Sequence, residues 1–398
     1  METIKNGKQS NKAIWLLGII LVSYFIVGFP DGAYTISWHG ISEDITGMTT
    51  ASAGWILVGY SVTYTLAGVI LTWLNRFMKL QTVYFWGLVI MGLGFVGLAL
   101  SYNFATVLLT ITIYGFGTGL MASSMNAYMA NYYTAKHNNW MHCFWGGGAS
   151  LSPLIMGHMM AILTWRAGYF VIAGIVAIVG VMLLFSFSKK MWLTPDDEKL
   201  QDVSEKTEIA KKRYLTKKWH KVVEILTFFF LGGTDYTLVF FTGAALMARG
   251  THTQEEIVIF STVYYLAMTA GRMLFGWATK FLKEVPIERI GIAIAIIGLG
   301  ILYFFSNVYG MAVLGFGLGP LLPTLVSDSS NRFMPNILSK IVGLELAAFG
   351  AGIAALFFLT SQLMHFVTYE ALFPLALSFI LLVFLCNEIL AFALKKEN

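Results

Sequence analysis

Gly28-Phe29-Pro30-Asp31 stands near the outer end of the first long apolar run of this chain. An ionisable carboxylate inside a hydrophobic segment costs about 2.5–3.5 kcal/mol even on lenient insertion scales, so Asp31 is expected to face water, a partner or a substrate. Pro30 has no N–H for the carbonyl of Ile26, and its ring presses on that turn, which predicts a kink beside the carboxylate. Carbonyls freed at membrane depth are tolerated only where protein or a water-filled cavity satisfies them. The spacing then returns half a chain later, where Gly232-Gly233-Thr234-Asp235 repeats Gly-x-x-Asp at an offset of 204 (235 − 31).

Composition sets the solvent around these sites. The chain has 398 residues, 57% hydrophobic and 12% charged, against about 25% charged in soluble proteins. Runs long enough to span a bilayer fall near 12–38, 51–75, 80–100, 105–133, 138–163 and 167–188. Six more follow near 222–248, 255–282, 285–306, 308–328, 337–364 and 369–394. The expected fold is an all-α membrane protein with twelve transmembrane helices in two pseudo-symmetric six-helix bundles. The bundles take 12–188 and 222–394, joined by a cytoplasmic linker over 189–221 and flanked by cytoplasmic termini, 1–11 and 395–398.

Loop charge gives the orientation. With the N-terminus cytoplasmic, 24 of the 26 Lys and Arg fall on that side, leaving Arg166 and Arg249 outside. The expected location is the cell (inner) membrane, with both termini inside. The net charge of +5 is then this positive-inside bias and calls for no nucleic acid. The opening apolar run is read as the first span rather than a cleaved signal, because no small-x-small site follows it. Cys143 and Cys386 both lie in apolar runs and are read as reduced packing residues. Within the linker, Trp192, Tyr214 and Trp219 among basic residues suit either amphipathic pieces on the anionic inner leaflet or a solvated connection.

Further matches support an internal duplication. Trp73-Leu74-Asn75-Arg76-Phe77 and Trp277-Ala278-Thr279-Lys280-Phe281 share Trp-x-x-basic-Phe, again at 204 (277 − 73). Gly115-Phe116-Gly117-Thr118-Gly119 recurs as Gly315-Phe316-Gly317-Leu318-Gly319 at 200 (315 − 115), and Gly146 and Gly148 match Gly350 and Gly352 at 204. Such small residues let helices approach closely in a membrane.

Helical spacing places Tyr24, Gly28, Tyr34, Thr35 and Trp38 on the face of Asp31. Tyr and Trp there offer flat rings to sugars or cations, with a hydrogen-bonding edge; Trp38 and His39 also fit an outer aromatic belt. Asn126, with Ser123 and Ser124 in the fourth span, suits a neutral polar ligand or an interhelical hydrogen bond. His142, with Trp145 on its face, is either a proton relay or a plain hydrogen-bond donor. Tyr265 in the eighth span is a further aromatic candidate. Asp235 and Glu345 lie deep enough that burial is expected to favour their protonated forms, as proton coupling requires; a static hydrogen-bonded acid is the competing reading. Arg272, Asp328 and Arg332 at span ends are read as a cytoplasmic latch or as solvated loop charges, and Glu388 as an interfacial contact.

No Lys or Arg lies mid-span, so an obligate anion would lack its usual partner. There is no Walker-type loop, His/Cys ligand cluster or nucleophile elbow. Neither an enzyme nor a cofactor or metal site is expected.

With these residues collected, the chain resembles the major facilitator superfamily, whose two parallel six-helix halves hold substrate near the midplane and alternate access by rocking. Within it, the stretches Gly28 to Trp38, Asn126-Ala127, Met141-His142-Cys143-Phe144-Trp145-Gly146-Gly147-Gly148-Ala149, Gly271 to Gly276 and Gly317 to Thr324 look like the fucose permease-like branch of sugar/proton symporters. That resemblance implies substrate and proton handling at Asp31. The branch's span-four Glu falls here on Ala122, so either Asp31 couples with Asp235 or Glu345, or the chain is a uniporter or handles another substrate. The function expected is import of a small neutral polar solute, a monosaccharide, by proton symport. The proton-coupling residues are then Asp31, Asp235, Glu345 and His142, and the substrate contacts Tyr34, Trp38, Asn126, Trp145 and Tyr265. The alternative is a proton antiporter exporting amphipathic cations, drugs or lipid-like molecules, for which 31 Phe and 19 Met would line an adaptable pocket. The expected partners are the small-molecule substrate, protons and the lipid bilayer, and the expected working form is a monomer.

Overall fold

A computed structural model describes residues 2–133, 135–192 and 214–397. The first rod is broken where Pro30 predicts it. Helix α1 (Glu2–Val27) and α2 (Phe29–Asp44) meet at Gly28, whose N–H reaches back only to the Phe25 carbonyl at 3.2 Å. Single helices follow as α3 (Thr50–Leu74), α4 (Leu80–Ala99), α5 (Phe104–Tyr132), α6 (Ala135–Ile162) and α7 (Trp165–Ser188). The second series is α8 (Lys218–Ala248), α9 (Gln254–Ala278) and α10 (Glu284–Phe305), then α11 (Val308–Leu318) and α12 (Leu321–Arg332), α13 (Pro335–Phe366) and α14 (Leu372–Glu397). Between α11 and α12 the break falls at Gly319-Pro320, since Pro320 has no N–H for the turn before it.

Polar side chains start several of these helices. Asn103 Oδ1 accepts the Thr106 N–H at 2.9 Å at the head of α5, and Thr253 with Glu256 forms a reciprocal capping box on α9. Among the described residues, eleven helical stretches are long and apolar enough to cross a bilayer, counting α1–α2 and α11–α12 as one each. Helix α6, of 28 residues, is not among these eleven. The protein is a multi-pass membrane protein.

Two compact units emerge from the contacts: Met1–Ala33 with Val62–Lys206, and Tyr34–Ser61 with Thr207–Asn398. In unit 1, α1 crosses α6 where glycines remove the side chains. A methyl group on Gly148 would run into the Phe25 carbonyl oxygen, and one on Gly28 into the Trp145 carbonyl oxygen. Unit 2 makes the same crossing between α8 and α13, with Gly352 against the Phe229 carbonyl and Gly232 against the Phe349 carbonyl. All four positions are shifted by 204 (352 − 148, 229 − 25, 232 − 28, 349 − 145). The sequence duplication is therefore a duplication of packing geometry.

Unit 2 has two differently built ends. At one, Leu215, Phe333, Ile341 and Leu390 form an apolar cluster, and the Leu215 N–H donates to the Arg332 carbonyl at 2.7 Å. At the other, Arg249 forks onto Glu370 through two hydrogen bonds of 2.6 Å and lies 4.5 Å from the Phe373 ring. That hydrogen bonding pushes the Arg249 guanidinium above its ordinary value. Residues 34–61 are held by further contacts: Gln254 Nε2 donates to the Ile36 carbonyl at 3.2 Å and Gln362 Nε2 to the Ala51 carbonyl at 3.1 Å.

The reading of the linker changes at one point. Trp192 is buried, its indole N–H donating to Ser186 Oγ at 2.8 Å and its ring stacking on Phe187 at 5.5 Å. An indole that already has an internal partner has no need of the headgroup layer. Trp219 is exposed in the first turn of α8. Residues 193–213 of the expected linker lie outside the described residues.

Candidate functional site

In unit 1 three helices bring Tyr24, Asn126 and His142 together. Asn126 Nδ2 donates both its hydrogens, to Tyr24 Oη at 3.2 Å and to the Ala122 carbonyl at 2.8 Å. Its Oδ1 is then the atom facing His142 Nε2 at 3.2 Å, so the imidazole carries a hydrogen on Nε2 and donates it. The His142 ring also stands edge-on to Tyr24 at 5.7 Å. The sequence reading put Asn126 and His142 in separate spans without joining them; they bond directly, and Asn126 carries the link on to Tyr24. Ala122, at the position of the branch's acid, contributes its backbone carbonyl. Asp31 is half-buried two residues after Phe29, where α2 begins, and lies in electrostatic reach of Tyr64 on α3. Trp145 is half-buried on α6, its carbonyl at the Gly28 crossing.

By their contacts Tyr34 and Trp38 belong to unit 2. Both are buried, with ring centroids 5.3 and 6.1 Å from Phe240, which in turn packs on Phe357 at 4.9 Å. Asp235, on α8, accepts a short hydrogen bond from the Tyr264 hydroxyl. Tyr265 is buried beside Tyr264, ring centroids 5.4 Å apart. Arg272 acts electrostatically on Asp235 and donates Nε to the Gly319 carbonyl at 3.0 Å.

Glu345 sits in a different place, a fully buried cluster around Arg332. Arg332 Nη1 lies 2.9 Å from Glu224 Oε2, and Nη2 lies 2.7 Å from Asp328 Oδ2 and 3.6 Å from Glu288 Oε2. Asn387 Nδ2 donates to Glu288 Oε2 at 2.8 Å, and its Oδ1 accepts a short bond from Arg332. Ser329 Oγ is 2.7 Å from Glu345 Oε1 and 3.3 Å from Glu224 Oε1.

These contacts set aside the solvated alternative for Arg332, which is an enclosed cation paired with Asp328, while Arg272 donates to the Gly319 carbonyl at the α11–α12 break. Arg332 is tolerated there because carboxylates and an amide surround it. Glu388, read as an interfacial contact, forms a bidentate pair with Arg289 at 2.6 and 2.8 Å. Sequence reasoning missed Glu224 and Glu288 as span-end charges. One signal was present: Glu224 lies eleven residues, about three turns, before Asp235 on the same stripe (235 − 224).

A sequence model of the Major Facilitator Superfamily matches residues 20–344. The chain belongs to the major facilitator superfamily. It is a transporter of that superfamily, not an enzyme. No curated protein matches its sequence. Among solved structures, the superfamily fold is shared with a bacterial homolog of the human lysosomal transporter Spinster in an inward-facing, unoccupied conformation, at 13% identity and TM-score 0.71 over 96% of this chain and 97% of that one. The nucleoside transporter NupG is similar at 13% identity and TM-score 0.70, over 96% and 99%. At such identities the likeness is one of fold.

Proposed function

We propose that this transporter imports a small neutral polar solute, a monosaccharide, in symport with protons across the cell's inner membrane, with both termini cytoplasmic. The observation that carries the reading is the Tyr24–Asn126–His142 network. A phenol, an amide and an imidazole on three helices offer neutral donors and acceptors of the kind that a hydroxylated solute exchanges for water. An anion would prefer a guanidinium, and Arg272 is already engaged by the Gly319 carbonyl and the charge of Asp235. The resemblance to fucose permease-like symporters supports the sugar assignment.

In this reading Asn126, Tyr34, Trp38, Trp145 and Tyr265 contact the solute, the aromatic residues supplying ring faces. Asp31 is the coupling carboxylate, beside the helix break that frees backbone carbonyls. Asp235 and Glu345 are further acid sites, and His142 is the proton relay. One chain suffices for the pathway, so the working form is a monomer.

The test is substrate-evoked charge movement in proteoliposomes at two pH values, with neutral sugars, nucleosides and organic cations as candidate solutes. A sugar-evoked, proton-dependent current that disappears in Asp31→Asn is the expected result. Silence to sugars together with cation-evoked proton exchange overturns the reading in favour of an efflux antiporter.

A further inference from the structure

The Arg332 cluster contains more acid than its one base can neutralise. Glu224, Glu288, Asp328 and Glu345 surround a single guanidinium, and all five side chains are buried. With every acid ionised the cluster would carry a net charge of −3 (four acids against one base). Uncompensated charge at such depth is costly enough that a group gives up its charge instead.

Hydrogen-bond geometry shows where the protons fit. Ser329 has one hydroxyl hydrogen but three oxygen neighbours: Glu345 Oε1 at 2.7 Å, the Leu325 carbonyl at 3.1 Å and Glu224 Oε1 at 3.3 Å. The shortest contact is satisfied if Glu345 brings its own hydrogen and donates to Ser329 Oγ, leaving the serine to donate onward. Glu345 Oε2, Glu288 Oε1 and Asp328 Oδ2 are buried carboxyl oxygens with no hydrogen-bond partner, but Asp328 Oδ2 lies 2.7 Å from Arg332 Nη2 and Glu224 uses both oxygens on Arg332. A bare carboxylate oxygen is the most expensive group to leave in that condition.

We propose that the Arg332 cluster is a buried two-proton site, in which Glu345 and Glu288 bind exchangeable protons while Arg332 holds Glu224 and Asp328 ionised. Each carboxylate takes a proton from water and returns it on release. With both protonated the cluster carries one net charge instead of three. Ser329 links Glu345 to Glu224, so loss of the Glu345 proton is felt at Arg332 through a single hydroxyl.

Every element around the site contributes. Helix α8 brings Glu224, with His220 one turn before it. Helix α10 brings Glu288, with Glu284 one turn before it and held by Ser327. Helix α12 brings Asp328 and Arg332, and α13 brings Glu345. Helix α14 brings the neutral Asn387, while the neighbouring Glu388 is taken up by Arg289. The proposal rests on the symport reading only in assigning these protons to transport; the site itself is independent of the solute.

Infrared difference spectra of the purified full-length protein, acid minus alkaline buffer, test it without any substrate. The wild type is expected to show titrating C=O bands of protonated carboxyl groups, with one band lost in Glu345→Gln and another in Glu288→Gln. Ser329→Ala changes no charge and should shift the Glu345 band, because that carboxyl loses its acceptor. Bands that persist in both glutamine variants overturn the proposal. If a glutamine variant does not fold, an unmoved band in Ser329→Ala overturns it equally. In proteoliposomes the glutamine variants should keep solute counterflow and lose proton-driven accumulation. Accumulation that survives in both variants refutes the coupling role. Absence of sugar flux in the wild type would refute the sugar reading and leave the infrared result standing.

Discussion

Arg332 Nη1 and Glu224 Oε2 lie 2.9 Å apart across α12 and α8, with side chains only 1% and 0% exposed. Removing one member of such a pair strands the other, which costs about 3–5 kcal/mol. Arg332→Ala is therefore expected to unfold at a clearly lower temperature than wild type in detergent, and Glu224→Gln, which keeps the shape and one acceptor, to lose less. Equal unfolding temperatures for Arg332→Ala and wild type would contradict the enclosed pair.

The glycine crossings predict a matched pair of failures. Gly148→Ala and Gly352→Ala both drive a methyl group into a backbone carbonyl, and overpacking of this kind costs about 1–3 kcal/mol or more. Gly174→Ala and Gly300→Ala place their methyl groups in open space and should leave yield and melting temperature near wild type. Yield and thermal unfolding of the four variants check this, and similar behaviour across them would count against the duplicated crossing.

Pro30→Ala restores an N–H that can reach the Ile26 carbonyl, and with it a continuous first rod. Thermal stability should hold or rise, because the substitution repairs a helix interruption. Transport rate should fall, because the break frees backbone groups beside Asp31. A variant that transports at the wild-type rate would show that the break is not used.

Asn126 connects Tyr24 to His142 and offers no charge. Asn126→Ala removes both links and should weaken solute binding by about 0.5–1.5 kcal/mol per lost hydrogen bond, read as a raised apparent dissociation constant in uptake or binding assays. Protein yield should change little, since the residue is only half-buried. Unaltered affinity would place the solute elsewhere.

Much of this architecture is legible in the amino-acid sequence. Span length and apolarity fix the helices, because a chain in lipid must satisfy its own backbone. Pro30 marks the break in the first rod, and the offset of 204 marks the duplication. The same spacing singles out Asp31 and Asp235, since a carboxylate amid apolar neighbours stands out locally. What the sequence leaves open is which helix faces meet. Periodicity places Asn126 and His142 on their own helices, but only the packing of α1, α5 and α6 brings them into contact with each other and with Tyr24. It likewise took the tertiary structure to enclose Arg332, to gather Glu224, Glu288 and Glu345 around it, to turn Arg272 toward the Gly319 carbonyl and to bury Trp192. Local sequence sets the direction a side chain takes from its own helix axis. Whether that direction ends in lipid, water or an opposite charge is decided by residues some sixteen to 108 positions away in the chain.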